Sequence, residues 1–249
     1  MHEMINAKKR YLQESLLEWY TQNKRDFAWR KFSASHYTII LSEILLQRTR
    51  AENVSKHSAF FFEQFPNWEA LTQASLESLE NALKPMGLQK QKSKAIYNLA
   101  QELCKRGFEL PESTNEAHDV GLKGMYISNA FELFVLKKQA ALLDVNMSRL
   151  FGRFFDAKNG KTISFSKEMK LFAQEFTNIR KCKELNWAVL DFAAIVCKAR
   201  NPRCKICPIS KKCSYNNFQI CEMIEEVDNA KLSIKLYSAR SKKTTYEKI

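Results

Sequence analysis

Apolar residues recur along this chain at helical spacing, in blocks separated by short polar turns. Residues 7–22 place Tyr11, Leu12, Leu16, Leu17 and Tyr20 on one side of a predicted helix. A strongly apolar helix is predicted over 37–50, and another over 54–65 with its Phe60–Phe61–Phe62 cluster. Residues 71–83 read as one short helix. After a turn at Pro85–Leu88, a helix runs to Cys104 and Gly107 ends it. A loop at 111–114 and a turn over 120–128 precede a helix at 129–136. Further helices are predicted over 147–155, 166–178 and 184–196, with a polar loop at 158–164. The six glycines and five prolines are too few for a turn-rich β protein, so an all-α fold is expected. Residues 222–249 change from acidic to basic without a clear period and are expected to form a partly ordered tail.

Two acids interrupt this pattern. Glu43 sits among Ile39, Ile40, Leu41, Ile44, Leu45 and Leu46. A carboxylate inside such a run is costly unless it is paired or used; otherwise it marks the polar face of a half-buried helix. Asp144 directly follows the apolar run Ala140–Leu143, where it can cap the next helix or serve a reaction.

The net charge is +13, and the pI of about 9.4 makes a polyanion the leading partner class. Nucleic acid comes first and an anionic membrane surface second. No stretch approaches the ~18 consecutive apolar residues of a spanning helix. The first ten residues lack the apolar core of a signal peptide. The expectation is a cytoplasmic protein with reduced thiols.

Four of the seven cysteines, Cys197, Cys204, Cys207 and Cys213, then stand out by their spacing, C-x6-C-x2-C-x5-C. Four clustered thiolates suit a tetrahedral Zn²⁺ or an iron–sulfur cluster. Chance clustering and a disulfide framework are the alternatives. Lys198, Arg200, Arg203, Lys205, Lys211 and Lys212 surround them, a rim suited to phosphate. Cys104, Cys182 and Cys221 lie outside the spacing and read as ordinary thiols.

The acid in a Leu-rich helix, the later turn, the Asp after an apolar run and the cysteine loop together resemble the helix-hairpin-helix DNA glycosylases of the endonuclease III and MutY superfamily. The resemblance covers about residues 7–216. It is strongest to thymine-DNA mismatch glycosylases in Arg25–Arg30, Leu41–Thr49 and Asp191–Cys197. It implies a two-lobed HhH-GPD fold with a DNA cleft between the lobes. A six-helix lobe would span 32–140. A [4Fe-4S] lobe would combine 1–31 with 141–221, and 222–249 would be a tail. It implies a monomer acting on double-stranded DNA in a prokaryotic cytoplasm, at the nucleoid, with Zn²⁺ as the alternative metal.

The resemblance also implies roles. A base must leave the duplex stack before its glycosidic carbon can be reached. Asp144 would stabilise positive charge on the sugar and orient water, and Glu43 would face the departing base. Asn146 would position the sugar phosphate or water. Arg48 would fill the gap left by the flipped base, with Gln89 wedging from the other side. Trp29 and Arg30 would form an aromatic–basic pair at the cleft, and Lys90, Lys92 and Lys94 would meet phosphates. The position of the Schiff-base lysine of bifunctional relatives aligns with Ser128, while Lys123 lies on the wrong side of the turn. Without an amine no imine forms, which implies a monofunctional glycosylase that leaves an abasic site.

Two features depart from the family pattern. The hairpin reads Leu122-Lys123-Gly124-Met125-Tyr126 instead of Leu-Pro-Gly-Val-Gly, which puts Tyr126 in the place of the second glycine. The chain also has too few residues after Cys213 for the 8-oxoguanine-reading domain of adenine glycosylases. The default substrate is thymine or uracil opposite guanine. A small Ser128 in place of tyrosine would enlarge the pocket for a hypermodified cytosine of phage DNA, making the protein a defence factor. A non-catalytic DNA-binding protein that retained the fold is the alternative from another class.

Overall fold

The computed structural model describes residues 2–155 and 165–217. Within them the regular structure is helical, with no β-strand. The first helix, α1 (His2–Asn23), is followed by a 3-10 turn at Ala28–Arg30 and by α2 (His36–Leu46). Next come α3 (Ala51–Gln64), α4 (Trp68–Gln73), α5 (Leu76–Leu83), α6 (Gln89–Lys105) and α7 (Thr114–Asp119). The last four are α8 (Met125–Phe134), α9 (Val145–Phe155), α10 (Lys167–Thr177) and α11 (Cys182–Ile195). None of the described helices is long and apolar enough to cross a membrane.

Several boundaries differ from the sequence pattern, and capping explains most of them. The predicted helix over 71–83 is two helices, because the Ser75 side chain accepts from the Ser78 amide and starts a new one. Ser113 does the same for α7, a short helix between the expected loop at 111–114 and turn at 120–128. The helix expected at 129 begins at Met125, directly after Gly124. The one expected over 37–50 stops at Leu46, where the chain turns through a left-handed Arg48 (φ 55). The expected tail beyond residue 221 and the loop at 158–164 lie outside the described residues.

The apolar side chains form two large clusters. One runs from Phe27 to Phe131 and is built by α2, α3, α5, α6 and α8, with Leu41, Leu45, Phe61, Leu79 and Leu103 at its centre. The other joins Leu12 and Leu16 of α1 to Leu150, Phe151 and Phe154 of α9 and to Leu185 and Phe192 of α11. Helix α1 therefore packs against α11, far away in sequence. A third, smaller cluster at Ala130, Phe134, Leu142 and Cys182 lies where α8 meets the segment before α9. Helices α2 and α8 face each other, which brings Glu43 to the start of α8.

Candidate active site and cysteine loop

Glu43 lies on the buried side of α2, 5% exposed, so it is not on a solvated polar face. Burial raises its carboxyl to about pH 7, against the opposing pull of Arg30 and of a hydrogen bond from Tyr126. Its Oε2 has no hydrogen-bond partner, and neither does Nε of Arg30. A buried acceptor and a buried donor left open near each other cost stability, and such a cost is typical of a site awaiting a ligand.

Asp144 immediately precedes α9 and both its oxygens are hydrogen-bonded. Oδ1 accepts from the Asn146 and Met147 amides at 2.9 and 2.8 Å, and Oδ2 accepts from Asn146 Nδ2 at 2.6 Å. It therefore caps the helix while lining both of the large clefts described below. Burial raises its pKa and these hydrogen bonds oppose the rise. Asn146 is thus a partner of Asp144 itself. Its Oδ1 accepts from Nη2 of Arg149 at 3.0 Å. Arg149 in turn donates to the Ala193 and Cys197 carbonyls, both at 3.0 Å.

Two clefts share Leu46, Thr49, Arg50, Tyr126, Asp144 and Asn146. One, of ≈ 750 Å³, is walled by Arg48, Lys123, Gly124, Val145 and Phe165. The other, of ≈ 610 Å³, is walled by Trp29, Arg30, Arg50, Arg149 and Lys198. Arg48 is exposed on its left-handed turn, as a residue that reaches outward must be. Gln89 is the first residue of α6 and half-buried, and it does not line either cleft.

The structure changes the roles read for several residues. Trp29 is 4% exposed and stacks on Phe27 at 4.6 Å, so its ring packs the interior edge of the cleft. Arg30 is held by Asp191, with Nη1 at 3.0 and 2.9 Å from its two oxygens. Arg25 donates its Nε to the same carboxylate at 2.7 Å. Asp191 is a fully buried acid whose desolvation is offset by two guanidinium groups. Sequence reading passed over it, although an acid inside Val189–Ala194 with arginines at 25 and 30 was the available signal. Lys92 does not meet phosphate: it is buried, and its Nζ donates to Leu45 O and Thr49 Oγ1. Lys90 and Lys94 are exposed.

The hairpin needs the largest correction. Gly124 itself has positive φ (103°) and immediately precedes α8, so it fills the place a second glycine would take. Tyr126 lies inside the helix and carries no backbone strain. Ser128 points away from the clefts, is 6% exposed, and hydrogen-bonds His118 Nε2 at 2.7 Å. The side chain beside the acids is Tyr126, whose hydroxyl hydrogen-bonds Glu43; burial first, then both acids, push its pKa well up, so it stays a neutral donor. The argument that a small Ser128 enlarges the pocket therefore loses its basis.

Cys197 follows α11, and Cys204, Cys207 and Cys213 flank two 3-10 turns. Burial raises the thiols of Cys204, Cys207 and Cys213, and each also feels the charge of others in the set. Cations approach from one side. Arg153 Nη1 lies 3.6 Å from Cys197 Sγ, and Arg153 Nε is buried without a partner. Among the described residues, no three His, Cys, Asp or Glu side chains close in on a point that could hold one metal ion. The donor set is all sulfur, its thiols feel one another's charge, and the Arg153 guanidinium lies beside Cys197. Arg200, Arg203, Lys205, Lys211 and Lys212 are exposed around it.

The chain is similar in sequence and fold to known proteins. The profile of the HhH-GPD superfamily of base excision DNA repair proteins matches residues 41–174. A thymine/uracil-DNA glycosylase of Methanothermobacter thermautotrophicus is 29% identical over 86% of this chain and 97% of its own length. A thymine-DNA glycosylase of Aeropyrum pernix is 29% identical over 83% of this chain and 94% of its own. The solved structure of a thermostable thymine-DNA glycosylase superposes with a TM-score of 0.77 at 28% identity, over 86% of this chain and 98% of that one.

Proposed function

The chain belongs to the HhH-GPD superfamily of base excision DNA repair proteins, and from that premise we propose a monofunctional DNA glycosylase for a mismatched pyrimidine in duplex DNA. Thymine or uracil opposite guanine is the substrate, as the names of the similar enzymes suggest. The observation that carries this reading is Tyr126 and Asp144 lining both clefts, with the buried Glu43 hydrogen-bonded to Tyr126. Asp144, locked by three hydrogen bonds, stabilises the cationic sugar and aligns water. Glu43, protonated over half the neutral range, donates toward the departing base, and Tyr126 fixes its orientation. The open atoms Glu43 Oε2 and Arg30 Nε supply one acceptor or acid and one donor for a pyrimidine edge.

Tyr126 offers no amine beside Asp144, so no imine forms and the product is an intact abasic site. The protein would act as a monomer with the cell's DNA, in the cytoplasm at the nucleoid, its two apolar clusters forming the lobes at 32–140 and at 1–31 with 141–221. Cys197, Cys204, Cys207 and Cys213 would hold a [4Fe-4S] cluster. An all-thiolate set in cationic surroundings suits such a cluster, with Zn²⁺ as the alternative. When bound, the cluster supplies a rigid cross-link to a loop that has little core of its own. A buried, unsatisfied Glu43 speaks against a non-catalytic DNA binder, which gains nothing from it.

The deciding experiment incubates the protein with duplexes carrying T·G and U·G mismatches and with modified phage DNA, followed by alkali. Breaks at the mismatched pyrimidine are expected, and none without alkali. Covalent trapping by borohydride would refute the monofunctional reading. Breaks only in modified phage DNA would move the protein to defence.

A further inference from the structure

Lys92 is an ammonium buried in the first turn of α6, 4% exposed, and its two hydrogen bonds go to neutral oxygens. Burial lowers its pKa to about 8, which shows that the charge is held at a cost. A methionine would fill the same space without that cost, so stability alone does not account for the lysine. Its contacts are specific. Nζ reaches the Leu45 carbonyl in the last turn of α2 (2.7 Å), where the helix dipole favours a cation. It also reaches Thr49 Oγ1 (2.6 Å), which donates onward to the Met86 carbonyl (3.0 Å).

These three links tie together two turns. The first, after α2, carries Arg48 at φ 55; the second, before α6, carries Leu88 at φ 55 and leads into Gln89. Left-handed backbone at a non-glycine residue costs energy and persists only where surrounding structure holds it. Both strained residues flank the Lys92–Thr49–Met86 chain of hydrogen bonds.

We infer that Lys92 is a positioning residue for base flipping: it locks the Arg48 turn against the turn before α6, so that Arg48 enters the duplex from the cleft as a rigid wedge. This rests on the glycosylase reading above. The ammonium touches neither base nor sugar; it acts by holding Arg48 in the left-handed turn that points it outward. Without that hold, the turn relaxes and the side chain must be reordered each time a base is flipped.

The test is a double-mutant cycle on flipping, read by a fluorescent base analogue next to a T·G mismatch in an Asp144→Asn background that does not cleave. Lys92→Met and Arg48→Ala are each expected to lower the flipped population about tenfold, and the double variant no further than either alone. Lys92→Met is also expected to melt at the parent's temperature or above, a split that a purely structural lysine would not produce. If Lys92→Met does not fold, Thr49→Val breaks the same chain and is expected to behave like it. Additive losses, or a Lys92→Met protein that flips like the parent, would overturn the proposal while leaving the glycosylase intact. An Arg48→Ala protein that flips normally would remove the wedge and this proposal together; alkali-sensitive breaks in the Asp144 parent would show that the glycosylase reading survives.

Discussion

Glu43 and Asp144 flank Tyr126 in opposite chemical conditions. Glu43 projects from the middle of α2 into the interior, with one oxygen unpartnered and only Tyr126 and Arg30 to favour its charge. Asp144 stands at a helix start, with three hydrogen bonds from Asn146 and Met147 satisfying both oxygens. Two carboxyl groups in one site divide acid and base roles by environment. The poorly solvated one keeps its proton and can give it up; at the well-bonded one three hydrogen bonds favour the carboxylate against the burial that raises its pKa. A further difference follows. Glu43 is supported by packing, whereas Asp144 is supported by a polar relay through Asn146 and Arg149 to the carbonyl of Cys197. The cysteine loop thus bears on the geometry of only one of the two acids.

The largest effect should come from Asp144→Asn. Asparagine caps a helix about as well as aspartate, so folding should be retained. Loss of the charge facing the sugar should lower the single-turnover rate by about 10²–10⁴-fold with little change in DNA affinity. A melting curve and a binding isotherm on the same preparation separate these outcomes. A variant that binds poorly would assign Asp144 to DNA gripping instead.

Glu43→Gln should reduce the rate by roughly 10²-fold, and it should also stabilise the protein. The native carboxyl titrates at about 7, above its ordinary value of 4.5, so the folded state holds more protons than the unfolded state between those two pH values. Stability from this group is accordingly present below about pH 4.5 and is lost as pH rises to about 7. At pH 8 the glutamine variant should be more stable by on the order of 2–3 kcal/mol, and at pH 4 by nothing. Equal stability at both pH values would mean that Glu43 is not buried as an acid. A smaller gain of the same sign is expected at Asp144, whose three hydrogen bonds oppose the rise from burial, and that difference in size is the direct check on the comparison.

Much of this was legible before any coordinates, and the reasons are physical. Helices with wide apolar faces, such as α6 and α9, announce themselves by period. Glu43 and Asp144 stood out because each broke an apolar run. The cysteine loop declared its chemistry by spacing. What sequence reading missed was register at the hairpin. Gly124 was the local signal for the turn, since glycine alone takes φ 103° cheaply, and reading Tyr126 in that place exchanged Tyr126 with Ser128 at the site. Lys92 was opaque: among Lys90, Lys92 and Lys94 only packing against Leu45 and Thr49 decides which ammonium is buried. Asp191 needed partners 166 and 161 residues away to explain it.

Arg149→Lys tests the support under Asp144. Lysine keeps the charge but cannot span Asn146, Ala193 and Cys197 together as the guanidinium does. A fall in kcat of about tenfold is expected with KM nearly unchanged, since the relay orients the acid and does not touch DNA. The alkaline limb of the pH–rate profile, which belongs to Glu43, should stay in place. A shift of that limb would show that the two acids share one network.

Tyr126→Phe should have the smallest effect and the most diagnostic one. The phenol stays protonated and donates to Glu43, which favours the carboxylate. Removing that donor leaves burial unopposed on this side, so the Glu43 pKa should rise above 7 and the alkaline limb of kcat should move up with it. A neutral-to-charged hydrogen bond of this kind accounts for about one pH unit or less. The ring remains to line both clefts, so DNA affinity should hold. Asp144, bonded only through α9, should show no matching shift on the acid limb. If both limbs moved, Tyr126 would be coupling the two acids, and the division of labour between a packed acid and a hydrogen-bonded one would have to give way to a single dyad titrating together.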